Sequence, residues 1–584
     1  MCGIAGIIGN YKEHQLNAML TSQHHRGPDA TGKYVDSNFA ALGHNRLAII
    51  DLSEQANQPF LDPSGRYVLV FNGEIYNYIE LKEILKKEYS FKTSSDTEVL
   101  LAAYVKWGAA CLSKLNGMFA FALWDNQGKK LFAARDRFGV KPFYYHFKQN
   151  VFYFASEIKA LHAAEIPKIP DEKVWVSYFA YGSYGNPDET FWEGIQQLPG
   201  GHYLEYENQK LTLKKWYFFT EEVAKQPKNL TYKEAKEQYL ALLKDSIRLR
   251  FRADVPVGFN ISGGLDSSVL LALVNLQENG KDNFNTNRGV PPLGVRGPIN
   301  AYTFYTNNSN YDELPWVEQM IAKTRNPLTK VLLRTNEVPD LAQKMAWQQD
   351  EPYGGIPTLA YAKIFEQARK DGVLVLLDGQ GMDEQWAGYD YYAQQNEATI
   401  QGISNSPFKT NVLSDSFLKK AEKPYYPKPF KEELLNKQYR DLFFTKIPRA
   451  LRFNDRISMA YSTELREPFL DYRLVEFAFS LPLEYKIKEG VTKFMLREIA
   501  AAFLADNLAF TPKRALQTPQ REWLGNEIKE FVNIQLEKII ANDPHKWFDK
   551  RALIQEWENY LKGDNDSSFH IWQWVSLGLI LNEN

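Results

Sequence analysis

The arrangement of apolar segments after about residue 231 constrains the fold more than any other feature of the chain. An amphipathic helical pattern at 231–251 precedes the strand-like VPVGFNIS, a glycine pair and a helix that begins at Leu265 or Asp266. The later apolar strands AYTFYT and VLVLLDG are separated by helical stretches at about 311–324 and 336–349, with another at 358–370. After residue 390 the pattern is mainly helical. This alternation predicts a parallel sheet with helices on both faces, because parallel strands are joined by long crossover connections.

The first third of the chain has a different pattern. Short segments rich in β-branched and aromatic residues alternate with turn residues, and helical periodicity occurs at about 77–88, 96–107 and 171–181. This indicates a sheet-dominated α+β domain. A chain of 584 residues is too long for one hydrophobic core. From the polar stretch EEVAKQPKNLT we predict a first domain at 1–217, a linker at 218–232 and a second domain at 233–584.

The composition excludes several classes of protein. With 69 Lys+Arg against 71 Asp+Glu, the net charge of −2 gives no general attraction to nucleic acid. The two cysteines, Cys2 and Cys111, provide no disulfide framework and favour a reducing compartment. There is no secretory signal pattern and no uninterrupted run of about 18 apolar residues. We therefore expect a cytoplasmic protein without nucleic-acid or membrane partners, and we expect Cys111 to be a core residue.

Cys2 is the first candidate catalytic residue. Removal of the initiator methionine would leave a cysteine that carries its own α-amine, whose ordinary pKa of about 7.7–8.0 suits it to accept the thiol proton. The thiolate could then attack a carboxamide, while the Asn72 side chain and the Gly73 backbone N–H stabilise the oxyanion. The simpler interpretation of a lone cysteine is a small apolar residue at the start of an edge strand.

The surrounding motifs favour the catalytic interpretation. They appear together and in order: CGIAG at the terminus, HHRGPDATG at 24–32, HNRLAIID at 44–51, FNGEIYN at 71–77, SSDTE at 94–98, GMFAFALWD at 117–125 and RDRFGVKPFYY at 135–145. Over about 200 residues the chain resembles the glutaminase domain of the class II amidotransferases, which are amino-terminal-nucleophile hydrolases with an αββα sandwich. The resemblance implies that Arg46 holds the α-carboxylate of glutamine and that Glu74 and Asp96 meet its α-ammonium. The implied glutamine pocket also includes Leu47, Ala48, Ile49, Ile50, Asn72 and Gly73.

The segment ISGGLDSS, at 261–268, lies between a predicted buried strand and a helix. Two glycines, the following N–H groups and the helix amino terminus together suit a phosphate, and the segment lacks the GxxxxGK[ST] pattern of a Walker A loop. A glycine pair alone would more often be a plain turn. The full string resembles the pyrophosphate loop of ATP pyrophosphatases. This resemblance implies that the loop residues bind ATP: Ile261, Ser262, Gly263, Gly264, Leu265, Asp266, Ser267 and Ser268.

LLDGQGMDEQWAGY, at 376–389, should reach the carboxyl edge of the same sheet, where parallel sheets bind ligands. Asp266 and Asp383, with Glu384 as a further candidate, could hold Mg²⁺ against a triphosphate. Lys493 could neutralise departing pyrophosphate, although a solvated helix lysine is the simpler interpretation.

Together with DRISMAYSTELREPFLDYRLVEFAFSLP at 455–482 and TKFMLREIAAAFL at 492–504, these motifs resemble the glutamine-hydrolysing asparagine synthetases over nearly the whole chain. The resemblance implies a carbon–nitrogen ligase that uses glutamine, ATP, aspartate and Mg²⁺, forms β-aspartyl-AMP, channels ammonia and forms a homodimer. It also implies that Tyr305, Asp378 and Gly379 bind ATP and that Gln380 and Lys493 lie beside the acyl-adenylate. The main departure from the family pattern is Gln380, which replaces the usual glutamate, since a glutamate can accept a proton and an amide cannot. Asp378, which replaces a serine two residues earlier, could substitute as the proton acceptor.

Two alternatives remain open at this point. The first keeps the chemistry but has another carboxylate acceptor, such as a uronic acid of a surface polysaccharide or a peptide carboxylate. The second is a regulatory relative whose synthetase site is inactive, although SGGLDSS and Asp383 are both intact.

Overall fold

The computed structural model describes residues 2–36, 39–278, 299–394, 400, 406–504, 506–510, 518–543, 545–564 and 566–581. The Asn/Gly/Pro-rich stretch at 281–298, which the sequence indicates to be a loop, lies outside the described residues. Within those residues, no helix has both the length and the apolar character needed to cross a membrane.

In its described residues, the amino-terminal part has twelve strands in two antiparallel sheets, with the orders β10-β8-β9-β1-β3-β2 and β12-β11-β7-β6-β5-β4. We refer to it as the sandwich. Its strands are β1 Gly3–Ile8, β2 Ala30–Asp36, β3 Ala40–Arg46, β4 Phe60–Leu61, β5 Tyr67–Ile75, β6 Gly117–Asp125, β7 Lys130–Arg135, β8 Tyr144–Lys148, β9 Val151–Ala155, β10 Ile195–Gln197, β11 His202–Glu207 and β12 Lys210–Lys215. Its helices are α1 Glu13–Ser22, α2 Tyr78–Leu85, α3 Asp96–Trp107, α4 Ile158–Ala163 and α5 Glu172–Tyr181.

The two sheets pack face to face. Ile4, Val70 and Phe154 belong to the buried cluster between them. On the outer faces, α1 and α4 cover the first sheet through Leu16 and Leu161, while α2 and α3 cover the second sheet. This four-layer order confirms the predicted αββα sandwich, and Cys111 is fully buried in it as expected.

The carboxyl-terminal part, which we call the parallel-sheet region, contains a five-stranded parallel sheet of order β15-β14-β13-β16-β17. Its strands are β13 Val257–Asn260, β14 Ala301–Tyr305, β15 Leu328–Leu332, β16 Val375–Leu377 and β17 Glu464–Arg466, with a separate hairpin β18 Ile487–Lys488 and β19 Val491–Thr492. The helices that follow α5 are α6 Phe219–Ala224, α7 Tyr232–Arg250, α8 Leu265–Glu278, α9 Leu314–Thr324, α10 Val338–Gln349, α11 Ile356–Lys370, α12 Met382–Trp386, α13 Asp415–Leu418, α14 Glu433–Phe443, α15 Lys446–Met459, α16 Tyr472–Ser480, α17 Leu483–Lys486, α18 Phe494–Ala501, α19 Asp506–Ala509, α20 Gln520–Gly525, α21 Lys529–Ala541, α22 Lys550–Leu561 and α23 Phe569–Ile580.

The strand order places a topological switch point between β13 and β16. From β13 the chain runs outward through β14 and β15, then returns to β16 on the other side of β13. Ligands of open parallel sheets bind in the crevice beyond the carboxyl ends of the strands at such a point. The predicted alternation is therefore confirmed, and the loops that follow β13 and β16 are the natural ligand-binding segments.

The segment at 218–232 is more ordered than the polar linker that the sequence predicts. It contains α6, whose Phe219 and Val223 are buried. The ring centroid of Phe219 lies 5.1 Å from that of Phe443 and 4.9 Å from that of Phe479. Burial of this ring against helices of the parallel-sheet region explains why the segment is helical, since aromatic burial outweighs the local polarity.

Three helix starts also differ slightly from the sequence interpretation. The helices expected from about 311, 336 and 358 begin at Leu314, Val338 and Ile356. Each has proline in its first turn. Proline suits this position because its missing N–H would have no intrahelical partner there.

Candidate functional site

Cys2 immediately precedes β1 and is held by backbone contacts on both sides. Its backbone nitrogen donates to Asn72 Oδ1 at 3.0 Å, and its carbonyl accepts from Arg26 Nε at 3.0 Å. The thiol Sγ lies 3.9 Å from the carbonyl oxygen of Leu47. The nucleophile that the sequence predicts is therefore fixed in a buried position beside Asn72.

Arg26 also connects Cys2 to the parallel-sheet region. Its Nη1 donates to Glu157 Oε1 at 2.8 Å and to Asp455 Oδ2 at 2.9 Å, and all three side chains are buried. The sequence analysis did not identify Arg26 as a functional residue. It lies within HHRGPDATG, but only its contact with residue 455 reveals this positioning role.

Asn72 and Gly73 lie side by side on β5, which pairs with β6. Asn72 is fully buried, and its Nδ2 has no hydrogen-bond partner among the described residues. An unsatisfied buried donor costs about 1–3 kcal/mol, so this amide is suited to a ligand oxygen. At Gly73, φ is 152° and an added Cβ would lie 2.1 Å from the Met118 carbonyl oxygen, so that no other residue fits.

Gly73→Ala is expected to lower glutamine hydrolysis by about tenfold or more, because the clash with Met118 forces β5 away from its place beside Cys2. Steady-state glutaminase rates and thermal unfolding measure the effect. Gly65→Ala is the matched control, because φ at Gly65 is also positive, 71°, but an added Cβ meets nothing within 4 Å. Equal activity of the two variants would contradict this account.

Burial raises the pKa of the Cys2 thiol above its ordinary value. At neutral pH the group is therefore a thiol, and attack on an amide requires a proton acceptor close to Sγ.

Arg46 ends β3 and is held by the loop that follows it. Its Nη1 donates to the Ser53 carbonyl at 2.7 Å and to Asn57 Oδ1 at 2.8 Å, and its Nη2 donates to the Asp51 carbonyl. These three bonds fix the guanidinium and, within the described part of the chain, leave N–H groups for a ligand carboxylate.

The segment 47–50 lies between the thiol and the parallel-sheet region. Leu47, Ile49 and Ile50 are buried in a cluster shared by the two parts of the chain, whereas the Ala48 N–H donates to Asp29 Oδ2 at 2.8 Å. The Ile49 carbonyl accepts from the Asp254 N–H at 2.8 Å. Of this predicted pocket segment, the Leu47 carbonyl is the group that the structure brings to Cys2.

Glu74 and Asp96 provide two buried carboxyl groups. Asp96 begins α3, and its Oδ2 accepts from the Ile75 N–H at 2.8 Å. Burial raises the pKa of Asp96 to about 7, and burial together with the neighbouring Glu464 and Asp96 carboxylates raises the pKa of Glu74 well above its ordinary value. A ligand ammonium would favour their ionised forms, as the predicted α-ammonium contact requires.

Glutamine binding is therefore expected to weaken below pH 7. The bound ammonium stabilises ionised Asp96, so in acid the proton must first be displaced, and affinity should fall by up to about tenfold per pH unit for each displaced proton. Calorimetry of glutamine binding to a Cys2→Ala variant, between about pH 5.5 and 8.5, measures how the logarithm of the glutamine Kd changes with pH in the absence of hydrolysis. The Asp96→Asn variant should bind glutamine more weakly, and its glutamine Kd should change less with pH. An unchanged pH dependence in that variant would contradict the assignment of Asp96 to the α-ammonium.

The loop 261–268 follows β13 at the switch point and includes the first turn of α8. Ser267 Oγ accepts from the Ser262 N–H at 3.2 Å, and φ of 66° at Gly263 allows the turn. Ser268 Oγ is buried without a hydrogen-bond partner among the described residues. The amino terminus of the 14-residue α8 faces this loop, so its N–H groups and dipole suit an anion.

Lys493 lies between the two predicted metal ligands, Asp266 and Asp383. Its buried Nζ lies 2.6 and 2.7 Å from the two carboxylate oxygens of Asp266 and 2.6 Å from Asp383 Oδ1. Although burial lowers it, the pKa of Lys493 is raised overall by these two carboxylates. The two carboxylates thus converge on one cationic centre.

The same geometry fits Mg²⁺. This ion usually takes one or two protein carboxylates together with phosphate oxygens, and Asp266 and Asp383 provide two on the loops that flank the crevice. Among the described residues there is no group of three or more His, Cys, Asp and Glu that would form a metal site by itself. The metal would therefore be bound together with a nucleotide.

The loop after β16 packs against the loop after β13. Asn260 Nδ2 donates to Asp378 Oδ2 at 3.1 Å, and a Cβ on Gly379 would lie 3.2 Å from Asp266 Cβ. Burial raises the pKa of Asp378 to about 6. Asp378 and Gly379 are thus brought to the predicted phosphate loop. Tyr305 ends β14, and among the described residues no hydrogen bond or ring contact joins its side chain to that loop.

Gln380 and Glu384 line a cleft of about 1070 Å³. Glu384 Oε1 accepts from the Tyr389 hydroxyl at 2.8 Å. Tyr184, Arg449 and many other residues of both parts of the chain form the remaining wall. Gln380 therefore borders a space much wider than the carboxylate cluster around Lys493.

Comparison with known proteins gives matches to both parts of the chain. A family model described as glutamine amidotransferase domain matches residues 1–217, and one described as asparagine synthase matches residues 238–582. "Asparagine synthetase [glutamine-hydrolyzing] 1" of Bacillus subtilis is 28% identical, with 98% of this chain and 95% of the relative covered. "Putative asparagine synthetase [glutamine-hydrolyzing] 2" of Methanocaldococcus jannaschii is 35% identical over 67% of this chain and 76% of the relative. "Amidase chry2" of Gibberella zeae is 27% identical, with 91% of each chain covered.

Proposed function

Because the chain belongs to the asparagine synthase family, we propose that it is a ligase that transfers the amide nitrogen of glutamine to an ATP-activated carboxylate. The observation that carries the proposal is the buried Asn72 side chain. Its oxygen holds the Cys2 nitrogen, and its Nδ2 remains without a partner among the described residues, beside the thiol. That arrangement suits a thiol that attacks an amide and a donor that receives the oxyanion.

Glutamine hydrolysis begins once removal of Met1 makes the Cys2 nitrogen an α-amine. The amine takes the thiol proton, and Sγ attacks the carboxamide carbon of glutamine. Asn72 Nδ2 and the Gly73 N–H donate to the oxyanion, and the protonated amine returns the proton to the departing nitrogen. Water then hydrolyses the thioester to glutamate. Arg46, Glu74 and Asp96 orient the substrate through its carboxylate and ammonium groups.

The second reaction takes place at the crevice between β13 and β16. The loop 261–268 holds the phosphates of ATP, and the acceptor carboxylate attacks the α-phosphorus to form an acyl-adenylate and pyrophosphate. Asp266 and Asp383 would hold Mg²⁺, which neutralises the phosphate charge when it is bound. Lys493 neutralises the departing pyrophosphate. Ammonia then displaces AMP and forms the amide.

Ammonia must pass between the sites as neutral NH₃, because in bulk water it would be protonated and lost. A continuous buried cluster supports an internal route. It contains Leu47, beside the Cys2 thiol, and Met118 of the sandwich, together with Ile261 and Met382 of the two loops at the crevice. These apolar side chains favour passage of the neutral molecule over the ammonium ion.

Aspartate is the first candidate acceptor, which the names of the relatives favour. A larger carboxylate, such as a uronate of a saccharide or a peptide carboxylate, is the second candidate. Two observations favour it: Gln380 cannot accept a proton, and the cleft of about 1070 Å³ beside it is larger than a free amino acid needs. Pockets for drug-sized ligands measure about 300–1,000 Å³.

Product analysis tests the proposal. The mature protein is incubated with glutamine, ATP, Mg²⁺ and either aspartate, a uronic acid or a peptide, and nucleotides and amides are separated by chromatography. AMP, pyrophosphate and one new amide are expected, and asparagine formation would select aspartate as the acceptor. Release of ADP and orthophosphate without AMP would contradict the proposed chemistry.

A further inference from the structure

Arg466 connects the two candidate sites through its own backbone and side chain. It is the last residue of β17, which pairs in parallel with β16. Its carbonyl oxygen accepts from the Asp378 N–H at 3.0 Å. Asp378 in turn accepts from Asn260 at the end of β13. The backbone of Arg466 thus supports the loop that closes the crevice.

The side chain of Arg466 points away from the crevice to the glutamine pocket. It is fully buried, and its Nη1 donates to the carbonyl oxygens of Arg250 at 2.7 Å and of Arg252 at 2.9 Å. Its Nε donates to Glu464 Oε1 at 2.5 Å. These bonds fix the guanidinium at the end of α7 and in front of β5.

The remaining nitrogen of Arg466 faces Glu74. Nη2 lies 3.7 Å from Glu74 Oε2, and neither atom has a hydrogen-bond partner within the described ranges. The distance is short enough for an ion pair and too long for a hydrogen bond. Glu464 and Asp96 provide the other carboxyl groups around this pair, and the guanidinium also lies 5.5 Å from the Tyr76 ring centroid. The contact is therefore sensitive to the charge on Glu74.

We infer that Arg466 is a positioning residue through which glutamine bound at Glu74 tightens the binding of ATP at the crevice. This inference rests on the proposed function. The α-ammonium of glutamine keeps Glu74 ionised, and the ionised carboxylate holds the guanidinium by attraction. A fixed Arg466 holds β17 against β16 and thereby keeps Asp378 in place. Because such coupling is reciprocal, ATP also tightens the binding of glutamine.

Calorimetry on the full-length chain tests the inference. In a Cys2→Ala background, where glutamine is not hydrolysed, Mg²⁺–ATP is titrated with and without saturating glutamine. Glutamine is expected to lower the Kd of ATP by about fivefold or more. The coupling ratio is the Kd of ATP without glutamine divided by its Kd with glutamine. With Arg466→Met added, this ratio should fall to about one while each ligand alone still binds. Arg473→Met is the control, because Arg473 pairs with Asp471 and Asp245 rather than with Glu74 and should retain the coupling.

Two results would overturn the inference. One is a coupling ratio of about one in the Cys2→Ala protein, and the other is a coupling ratio that is unchanged when Arg466→Met is added. If Arg466→Met does not fold, Arg466→Lys replaces it. The single ammonium of a lysine cannot reach Glu464, Glu74 and the carbonyl oxygens of Arg250 and Arg252 together. The coupling ratio should therefore fall to less than half of its value in the Cys2→Ala protein. An undiminished ratio in Arg466→Lys would likewise overturn the inference. Absence of all ATP and glutamine binding would instead count against the proposed function.

Discussion

Cys2→Ala is expected to remove glutamine-dependent amide synthesis, with a loss of about 10⁴-fold or more, and to preserve synthesis from ammonium salts within about twofold. The loss follows because the Cys2 thiol is the proposed nucleophile, beside Asn72. Preservation follows because the described contacts of Cys2 are with Arg26, Leu47 and Asn72, and these residues lie outside the crevice between β13 and β16. Alanine also permits removal of Met1, so the amino terminus remains comparable.

Cys111→Ala is the matched control. Cys111 is the other cysteine of the chain and is fully buried in the sandwich, where burial raises its thiol pKa to about 12. Its loss should cost about 1 kcal/mol of stability and leave both nitrogen sources active. Amide formation from glutamine and from ammonium salts, measured side by side, separates the two variants. Loss of both activities in Cys2→Ala would show that the sites are not separable.

Lys493→Met is expected to lower AMP formation by about 10³-fold or more, about 4 kcal/mol in the activation barrier, while glutamine hydrolysis continues. Methionine matches the length of lysine but removes the charge. Asp266 and Asp383 then lose the cation on which both converge, and pyrophosphate departs without its counter-charge.

The comparison for this variant is Lys488→Met. Lys488 lies in β18, in the hairpin that immediately precedes Lys493. It is exposed, and its Nζ lies 4.9 Å from the Phe494 ring centroid. Pyrophosphate release with ammonium as nitrogen donor measures the synthetase reaction alone. Activity of Lys493→Met within about tenfold of the parent protein would contradict the assigned role.

The features that the sequence predicted well depend on residues close together in the chain. The strand, glycine turn and helix around 261–268, and the neighbours Asn72 and Gly73 on β5, follow from local spacing and side-chain type. The αββα layers and the parallel sheet follow from the periodicity of apolar residues. Such patterns determine which face of an element is buried and where a loop must turn.

Contacts between distant segments could not be predicted in the same way. The sequence analysis assigned Lys493 to pyrophosphate, but its position between Asp266 and Asp383 depends on packing of the β18–β19 hairpin against α12. Arg26 and Arg466 were not identified, because their roles arise from partners at Asp455 and Glu74 across the interface. The helix α6 was missed because the burial of Phe219 comes from helices formed much later in the chain.

A competition between nitrogen sources measures directly whether nitrogen freed at Cys2 reaches the adenylate inside the same molecule. The protein is given amide-¹⁵N glutamine, ATP, Mg²⁺, an excess of unlabelled ammonium and the carboxylate that supports AMP formation, and the product amide is analysed by mass spectrometry. We expect the ¹⁵N fraction of the product to stay far above that of the bulk ammonia. A ¹⁵N fraction equal to that of the mixed solution would contradict internal transfer.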